Sequence, residues 1–487
     1  MQGVGGSNPP VPTIRLRIQG VKDRMLRRMD PPKHLTYYVL IAKAGHEFFA
    51  CTVNEGSKMK KINVGLIGFG KIGSGVVKAL RSKRAFLKEK SGVDVTIVRI
   101  CDKDIKSKRP VDVSKSILTR SLSKVLYDPK IHIVVELMGG IRPAKDVILE
   151  SLRSGKHVVT ANKALLAVAG REIFSLANSL ALNVAFEASV GGGIPIIKSL
   201  KDGFVANKFD LVYGIVNGTS NFILSRMAEG AVSFKDALKI SQDKGYAEQD
   251  PHLDISGLDS SHKLSILALL AFGVQARPSD IYTEGITDIE PGDIQYAKEL
   301  GYAVKLLAIA KRSGDSVELR VHPTMIPESH LLAKVGGAYN AIFVKGDLIG
   351  ENLFYGQGAG ALATSSAVVS DIIDIAKQIS CCGKVTGSMA FRKDVKKIKD
   401  ISDIKTRFYI RFSAIDRPGV LAKISGILGK YNISIASVTQ KEKTNSNVVP
   451  IVMMTHEALE LNMAKALKQI DALDAIKKKT VKIRMES

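Results

Sequence analysis

The residues best suited to chemistry lie in one stretch, from Gly245 to Lys263. The stretch holds four carboxylates and ends on a lysine, namely Glu248, Asp250, Asp254, Asp259 and Lys263. A lysine beside carboxylates can give and take a proton, and the carboxylates can bind a cationic substrate group. The alternative is an exposed ion pair, which would contribute only about 0.3–0.5 kcal/mol. The stretch alone does not decide between the two.

The elements around this stretch must bring its side chains together. Asp250 precedes a proline, which disfavours helix and predicts a polar loop. Ser256 is the predicted N-cap of a helix, with Asp259 three residues on. Asp259 and Lys263 then share one helix face. The apolar run 264–272 predicts that this helix is buried, with the acidic loop at its mouth.

A glycine-rich turn gives a second chemical motif. The apolar strand 62–67 runs into G-x-G-x-x-G, and a helical pattern follows. Such a turn lets the backbone approach a pyrophosphate at a helix N-terminus. We therefore predict dinucleotide contacts from Gly68, Phe69, Gly70, Lys71, Ile72 and Gly73. The alternative is a glycine-rich turn without a ligand.

The second predicted strand, 95–100, ends close to Asp102 and Lys103. An acidic residue here bonds the ribose hydroxyls and favours NAD. Lys103, with Lys106 and Lys108, could instead meet the 2′-phosphate of NADP. The choice between NAD and NADP stays open.

Further strands at 131–137, 157–159 and 183–186 alternate with helices. This order predicts an α/β fold with a Rossmann-type, doubly wound parallel sheet, whose ligands bind at the carboxyl ends of the strands. Gly139 and Lys163 follow two of these strands, and we expect both to contact the cofactor. The alternative for Lys163 is a solvated lysine at a helix start.

The 487 residues are enough for two or three domains. The predicted organisation is an N-terminal extension, 1–58, flexible or upstream of a natural start at Met59; a dinucleotide-binding domain, 59–195; an α+β substrate domain, 196–355; a helix returning to the first domain, 356–380; a linker, 381–405; and a βαββαβ domain, 406–487.

The amino-acid composition limits the kinds of binding partner that we expect. The net charge is +24, but the lysines are spread along the chain without interleaved aromatics, so we expect phosphate-bearing small ligands and no nucleic acid. The longest apolar stretches, about ten residues, are too short for a bilayer. No secretory signal is visible, and the four cysteines form no C-x-x-C pair. We therefore expect a cytoplasmic protein without a membrane partner.

Together these motifs resemble homoserine dehydrogenase of the longer bacterial type, with a C-terminal ACT domain, over about residues 61–485. Its signature is matched by Gly245, Asp250-Pro251, Asp254-Ile255, Gly257, Asp259 and Lys263. Ser241 stands where alanine is usual, and Gln249 where proline or alanine is usual. The resemblance implies NAD(P)-dependent interconversion of L-aspartate 4-semialdehyde and L-homoserine, in threonine, methionine and isoleucine biosynthesis.

The resemblance also implies roles for individual residues. Lys263 would exchange the proton at the reacting oxygen, with Asp259 beside it. Hydride delivery to an aldehyde carbon builds negative charge on that oxygen, which a lysine can stabilise and protonate. Substrate contacts would come from Lys163, Thr219, Tyr246, Glu248, Asp254 and Asp259. Gly358 is a further expected cofactor contact.

The segment 187–194 resembles the family's site for a monovalent cation, Na⁺ or K⁺. There Glu187 would give a side-chain oxygen, and Val190, Gly192 and Ile194 would give backbone carbonyls. Hard oxygen ligands suit such ions. The alternative is a plain glycine-rich hinge.

Asp416-Arg-Pro-Gly419 resembles the ACT signature, and Asn432 matches a position often found at its ligand interface. The resemblance implies an amino-acid effector, L-threonine, and a homo-oligomer, either dimer or tetramer. Two rival functions are an amino-acid sensor without chemistry and a dehydrogenase of 2-oxo acids. The Asp259–Lys263 pair argues against the first, and the run from Asp250 to Lys263 argues against the second.

Overall fold

The structure, a computed structural model, describes residues 36–40, 50–54, 60–230, 232–381, 395, 397–440 and 447–486. The chain divides into two compact units, Met1–Met59 and Lys60–Ser487. In the first, strands β1 (Thr36–Leu40) and β2 (Ala50–Asn54) pair antiparallel. The sequence shows no strand–helix order before Met59, and this strand pair was not predicted. The remainder of the predicted extension lies outside the described residues.

The second unit begins with a six-stranded parallel sheet of order β5-β4-β3-β6-β7-β8. Its strands are β3 (Lys61–Ile67), β4 (Asp94–Cys101), β5 (Leu118–Thr119), β6 (Ile133–Glu136), β7 (His157–Thr160) and β8 (Val184–Ala185). Its helices are α1 (Lys71–Ser82), α2 (Arg84–Ser91), α3 (Ser123–Leu126), α4 (Ala144–Arg153) and α5 (Lys163–Ser179). The predicted doubly wound sheet is confirmed. Strand order reverses at β3, so its carboxyl end is the switch point where ligands bind in this fold.

The middle region is built on a mixed sheet. Its strands are β9 (Phe209–Ile215), β10 (Tyr282–Thr283), β11 (Tyr302–Ser313), β12 (Ser316–Pro327), β13 (Tyr339–Gly346), β14 (Gly350–Gln357) and β15 (Lys397–Ile398). Its helices are α6 (Ile196–Lys198), α7 (Gly218–Gly230), α8 (Phe234–Asp243), α9 (His252–Ile255), α10 (Leu258–Phe272), α11 (Pro291–Glu299) and α12 (Ala361–Cys381). The strand order is β14-β13-β9-β11-β12, with β10 and β15 beside β12.

Helix α12 follows the last long strand of this sheet, β14, and packs on α1 of the parallel-sheet region. The Ser365 hydroxyl donates to the Ile72 carbonyl over 3.1 Å. Val368 and Ile372 share a buried cluster with Val76 and Val77. Because α12 packs on α1 in this way, the parallel-sheet region and the middle region are joined by packing as well as by the chain.

The C-terminal region has the predicted βαββαβ order, with one further short strand. Its elements are β16 (Lys405–Ile415), α13 (Val420–Lys430), β17 (Ile435–Gln440), β18 (Val448–Thr455), β19 (Ala458–Leu459), α14 (Glu460–Asp471) and β20 (Ile476–Met485). Strand β20 also pairs with β12, with Thr324 opposite Arg484, so one twelve-stranded sheet runs through both regions. Most of the predicted linker, 382–394, lies outside the described residues.

Buried polar and charged side chains also connect the middle region to the C-terminal region. Arg320 on β12, 1% exposed, donates to Glu486 over 2.6 Å and to Glu318 over 3.1 Å. The Tyr213 hydroxyl donates to the other oxygen of Glu486 over 2.5 Å.

Among the described helices, none is long and apolar enough to cross a membrane.

Candidate active site

An open cleft of about 620 Å³ lies where α5, α7, α10, β13 and the segment after β14 meet. Its lining includes Lys163, Asn217, Gly218, Thr219, Tyr246, Glu248, Asp254, Asp259, Lys263, Asn340 and Gly358. Every residue predicted to contact substrate therefore lies on one cleft, together with the predicted proton-transfer residue. The folding reason is that strand ends and helix starts from several elements converge there.

Helix α10 places Asp259 and Lys263 on the cleft wall. The prediction of Ser256 as the N-cap is wrong, because Ser256 is the C-cap of α9 and Gly257 is the N-cap of α10. Gly257, with φ of +83°, makes the left-handed turn into α10. A residue with a side chain is disfavoured at such a φ, so glycine is the residue that lets α10 follow α9 directly.

Asp259 bridges two ammonium groups. Its Oδ2 is 2.7 Å from the Nζ of Lys263, and its Oδ1 is 2.7 Å from the Nζ of Lys163. The side chains of Asp259 and Lys263 are 7% and 10% exposed, whereas that of Lys163 is 40% exposed. The interpretation of Asp259–Lys263 as a surface ion pair is therefore wrong, and Lys163 extends from the solvent side of the cleft.

Burial sets the protonation of this group. Desolvation lowers the pKa of Lys263 from its usual value, and the carboxylate of Asp259 limits the fall. Burial alone would raise the pKa of Asp259, but Lys263 and Lys163 outweigh it and hold that pKa below the usual range. Asp259 is thus favoured as an anion, and Lys263 is a lysine from which a proton is easier to remove than in water.

Asn217, at the carboxyl end of β9, is a site residue that the sequence analysis did not propose. Its side-chain nitrogen donates to Asp259 over 2.8 Å and to Asp254 over 2.7 Å. Its side-chain oxygen accepts from the Ser220 backbone N–H, which fixes the amide's orientation. The available signal was its place just after a strand, the same signal that pointed to Lys163.

The loop before α9 and α9 itself form another part of the cleft wall. The Thr219 hydroxyl donates to the backbone carbonyl of Tyr246 over 2.8 Å, which ties α7 to this loop. The Tyr246 ring lies 4.9 Å from that of Phe222 and is half exposed. Glu248 is exposed on the cleft, and burial raises the pKa of Asp254. This wall thus offers carboxylates to a cationic ligand.

Gly358 and Asn340 meet at the end of the cleft formed by β13 and β14. A Cβ on Gly358 would lie 1.8 Å from the side-chain nitrogen of Asn340. Asn340 is 1% exposed, and its side-chain oxygen has no hydrogen-bond partner in the described part of the chain. Gly358 is therefore required here by close packing, and Asn340 is a second cleft residue that sequence reasoning missed.

The glycine-rich turn has the geometry that its spacing predicts. A Cβ on Gly68, whose φ is +96°, would lie 2.5 Å from the Leu137 carbonyl oxygen, and one on Gly73 would lie 2.2 Å from that of Gly68. Gly70 has no atom within 4 Å of its Cβ position, so that side of the turn is open. Helix α1 begins at Lys71, and no side chain of the N-cap Gly70 caps its first backbone N–H groups.

Asp102, which follows the second strand of the parallel sheet, β4, hydrogen-bonds to the glycine-rich turn. One carboxylate oxygen accepts from the Phe69 backbone N–H, and the other accepts from that of Asp104 over 2.8 Å. Arg109 lies 3.9 Å from Asp102 and stacks 5.9 Å from the Phe69 ring, although sequence reasoning considered only Lys103 and its neighbouring lysines. Lys103, Lys106 and Lys108 are exposed.

The third strand end links the turn to the cleft. Gly139, with φ of +74°, follows β6 and has open space beside it. The Asn162 side chain donates to the Gly140 carbonyl over 2.6 Å, and its oxygen caps α5 at the Leu165 N–H. These hydrogen bonds of Asn162 fix the start of α5, and Lys163, its first residue, lines the cleft.

The segment 187–194 packs beneath the residues after β14. Gly193 N–H donates to the Gln357 carbonyl over 3.0 Å, and Ile194 carbonyl accepts from Ile196. Both carboxylate oxygens of Glu187 accept backbone N–H bonds of 2.9 Å, from Ile197 and Lys198. Glu187 therefore caps α6, and only its remaining lone pairs are free for a cation. Within the described residues no group of three or more His, Cys, Asp or Glu could hold a metal ion.

Comparison with known proteins gives three family matches in chain order. They are homoserine dehydrogenase, NAD binding domain, at residues 68–187; homoserine dehydrogenase, at residues 195–373; and the ACT domain, at residues 408–475. The three matches coincide with the three regions of the second unit.

Individual relatives agree. A homoserine dehydrogenase of Neisseria gonorrhoeae is 43% identical over 433 residues, which cover 88% of this chain and 99% of the relative. The crystal structure of a homoserine dehydrogenase from Thiobacillus denitrificans superposes with a TM-score of 0.81 at 44% identity, covering 88% of this chain and 99% of that one. A hyperthermophilic archaeal homoserine dehydrogenase in complex with NADPH superposes with a TM-score of 0.56 at 25% identity, over 65% of this chain and 98% of that one.

Proposed function

The chain belongs to the homoserine dehydrogenase family, and from this premise we propose how its cleft works as the active site of an NAD(P)-dependent oxidoreductase acting on a CH–OH group. In this proposal the substrates are L-aspartate 4-semialdehyde and L-homoserine, interconverted reversibly. The observation that carries it is the buried Lys263 ammonium, bonded to Asp259 on the wall of the cleft.

Lys263 is the proposed acid and base. When hydride reaches the aldehyde carbon, negative charge develops on the carbonyl oxygen, and the Lys263 ammonium stabilises and then protonates it. Its lowered pKa assists this transfer. In the reverse direction the neutral amine removes the hydroxyl proton. Asp259 holds the Lys263 side chain at its reacting end, with the Val216 carbonyl 2.5 Å from Nζ as a second anchor.

The remaining charges of the cleft suit an amino-acid substrate. In this proposal Glu248 and Asp254 bind the substrate ammonium, and Thr219 and Tyr246 line the cleft beside them. Lys163, at the open side, offers its ammonium to the substrate carboxylate and lies next to the strand end at Gly140. A zwitterionic substrate is therefore met by opposite charges at both ends.

The residues of the switch point suit a dinucleotide. We propose that it is held by the turn Gly68–Gly73, by Asp102, Lys103 and Gly139, and at the nicotinamide end by Lys163 and Gly358. The nicotinamide supplies or accepts the hydride when it is bound. Which of NADP and NAD is preferred is answered by comparing initial rates with NADPH and NADH at 340 nm.

The test of the reaction uses Lys263→Ala, with Lys239→Ala, an exposed lysine of α8, as the matched control. NADPH oxidation is followed with L-aspartate 4-semialdehyde. We expect Lys263→Ala to lose about 10²–10⁴-fold in kcat while binding the cofactor normally, and the control to keep wild-type rates. Turnover retained by Lys263→Ala would remove Lys263 from this role. A wild-type protein that binds NADPH and turns over neither substrate would point to a sensor.

We further propose a Na⁺ or K⁺ ion at segment 187–194, with Glu187, Val190, Gly192 and Ile194 as its oxygen ligands. The tight turn at Gly192, whose Cβ position lies 2.6 Å from the Gly358 carbonyl oxygen, supports a role in fixing the cleft's end. Activity in sodium, potassium and choline chloride at equal ionic strength tests the ion. Equal rates in all three would argue against it.

For the C-terminal region we propose an amino-acid effector, L-threonine, at the turn 415–421, which lines a cavity of about 340 Å³ with Gln440 and Ile451. Asn432, with φ of +55°, is not among the residues lining it. We also propose a homo-oligomer, a dimer or tetramer, because β14 and β17 are the outermost strands of the long sheet in the described part of the chain. Rates with millimolar threonine and light scattering test the two proposals.

A further inference from the structure

A short segment, Tyr282–Ile286, contacts the short loop 255–257 between α9 and α10, which has Asp254 just before it and Asp259 shortly after it. On one side the Glu284 backbone N–H donates to the Val321 carbonyl of β12 over 2.7 Å. On the other side the Ile286 N–H donates to the Ile255 carbonyl over 2.9 Å. The segment therefore connects the loop, through main-chain hydrogen bonds, to the central sheet.

The contact between this segment and the loop leaves no free space. A Cβ on Gly285 would lie 2.3 Å from the Ile255 carbonyl oxygen and 2.8 Å from the Ser256 Cα. A Cβ on Gly257 would lie 3.1 Å from the Glu284 carbonyl oxygen. Because backbone touches backbone on both sides of Ser256, a shift of Glu284 must move the loop between Asp254 and Asp259.

Glu284 is held in place by Arg484, which comes from β20 of the C-terminal region. The guanidinium donates to both oxygens of Glu284, over 2.7 and 3.3 Å. It also donates to the Tyr282 hydroxyl over 3.0 Å and stacks 4.8 Å from that ring. The Tyr282 hydroxyl in turn donates to Glu284.

Arg484 has a second carboxylate partner on its own side of the join. Glu460 of α14 accepts from the guanidinium over 2.8 and 2.9 Å. Arg484 is fully buried, so its charge requires these partners. Two carboxylates thus share one arginine, but only Glu284 belongs to the segment behind the loop.

We propose that Arg484 is a positioning residue for the active site: acting through Glu284 and the segment Tyr282–Ile286, it fixes the loop that presents Asp254 and Asp259 to the substrate. The C-terminal region then contributes to substrate binding in the absence of any effector. This inference rests on the proposed substrate role of that loop and adds a residue of another region to it.

The test compares two variants that each remove one carboxylate charge from Arg484. Glu284→Gln loosens the segment behind the loop. Glu460→Gln removes the other carboxylate charge beside Arg484, which Lys482 also contacts, and leaves the segment's own residues intact. KM for L-homoserine, KM for the cofactor, kcat and the thermal midpoint are measured for both. Tyr282→Phe, which removes only a hydroxyl, is the fallback if Glu284→Gln does not fold.

We expect Glu284→Gln to raise KM for L-homoserine by roughly three- to tenfold with cofactor KM unchanged, because the loop loses its fixed position. Glu460→Gln should lower the thermal midpoint and leave that KM within about twofold of wild type. Equal effects of the two variants on the substrate KM, or no effect of either, would overturn the proposal. A wild-type protein inactive with homoserine would instead contradict the proposed function.

Discussion

At the scale of single residues, Asp259 holds a position between two ammonium groups that no other described carboxylate shares in the cleft. It supports the positive charge on Lys263 while burial opposes that charge. The resulting pKa of Lys263 reflects both effects. Changing Asp259 should therefore alter the pH dependence of the reaction and not merely its rate.

The first prediction concerns Asp259→Asn. Removing the carboxylate leaves burial and Lys163 to lower the pKa of Lys263 further. Reduction of the aldehyde needs protonated Lys263, so activity is present below this pKa and lost as pH rises through it. In the kcat–pH profile, we expect this loss of activity at high pH, the alkaline limb, to move to lower pH by about one unit or more. A limb at the wild-type position would show that Lys263 does not control it.

A second prediction concerns Arg109, which lies beside Asp102 at the proposed ribose site. A guanidinium binds phosphate by charge-assisted hydrogen bonds, and NADPH carries a 2′-phosphate that NADH lacks. We expect Arg109→Ala to raise KM for NADPH by about tenfold and KM for NADH far less. Lys115→Ala, an exposed charge nearby in sequence, is the control. Equal changes with both cofactors would exclude Arg109 as the phosphate contact.

At the scale of elements, the turn from α9 into α10 depends on close backbone contacts. Gly285→Ala is the third prediction. Its added Cβ would overlap the Ile255 carbonyl and push the loop towards the cleft. We expect kcat/KM for homoserine to fall by about tenfold or more. Gly292→Ala, where no atom lies within 4 Å of the added Cβ, should be nearly neutral. Similar rates in the two variants would mean that the loop tolerates displacement.

Elements with a local signal were predictable from sequence. The strand–turn–helix at Gly68 and the shared face of Asp259 and Lys263 follow from spacing alone. Strand β11 did not show such a signal, because residues 304–310 are buried in succession and do not alternate. Asn217 was missed for a related reason: its importance comes from two carboxylates that reach it from a distant part of the chain.

At the scale of the whole molecule, the C-terminal region is continuous with the middle sheet. The sequence predicts a separate domain after a linker. It does not predict the continuous sheet, because hydrophobic periodicity identifies a strand without showing which other strand it pairs with. The pairing of β20 with β12 brings together residues far apart in the chain. A second junction buries Asp293 of α11, which accepts from Arg411 of β16 over 2.6 and 3.0 Å and from Tyr409 over 3.0 Å.

The fourth prediction tests this junction. Asp293→Ala leaves the buried Arg411 guanidinium with Glu290 as its remaining carboxylate. Breaking one side of a buried ion pair is costly, so we expect a loss of about 3–5 kcal/mol in unfolding free energy by urea denaturation. Asp280→Ala, whose partner Arg277 is exposed, should lose less than about 1 kcal/mol. A small loss at Asp293 would show that this second junction adds little to the other contacts between the two regions.

The anchoring of Glu486 has a consequence for how the protein is made. Strands β9 and β12, which carry Tyr213 and Arg320, leave the ribosome long before residue 486 is synthesised. Until then Arg320 has only Glu318 as a carboxylate partner, and the β12 edge lacks β20. The nascent middle region therefore cannot reach its final packing until residue 486 has left the ribosome. Until that point chaperones have an exposed sheet edge to protect.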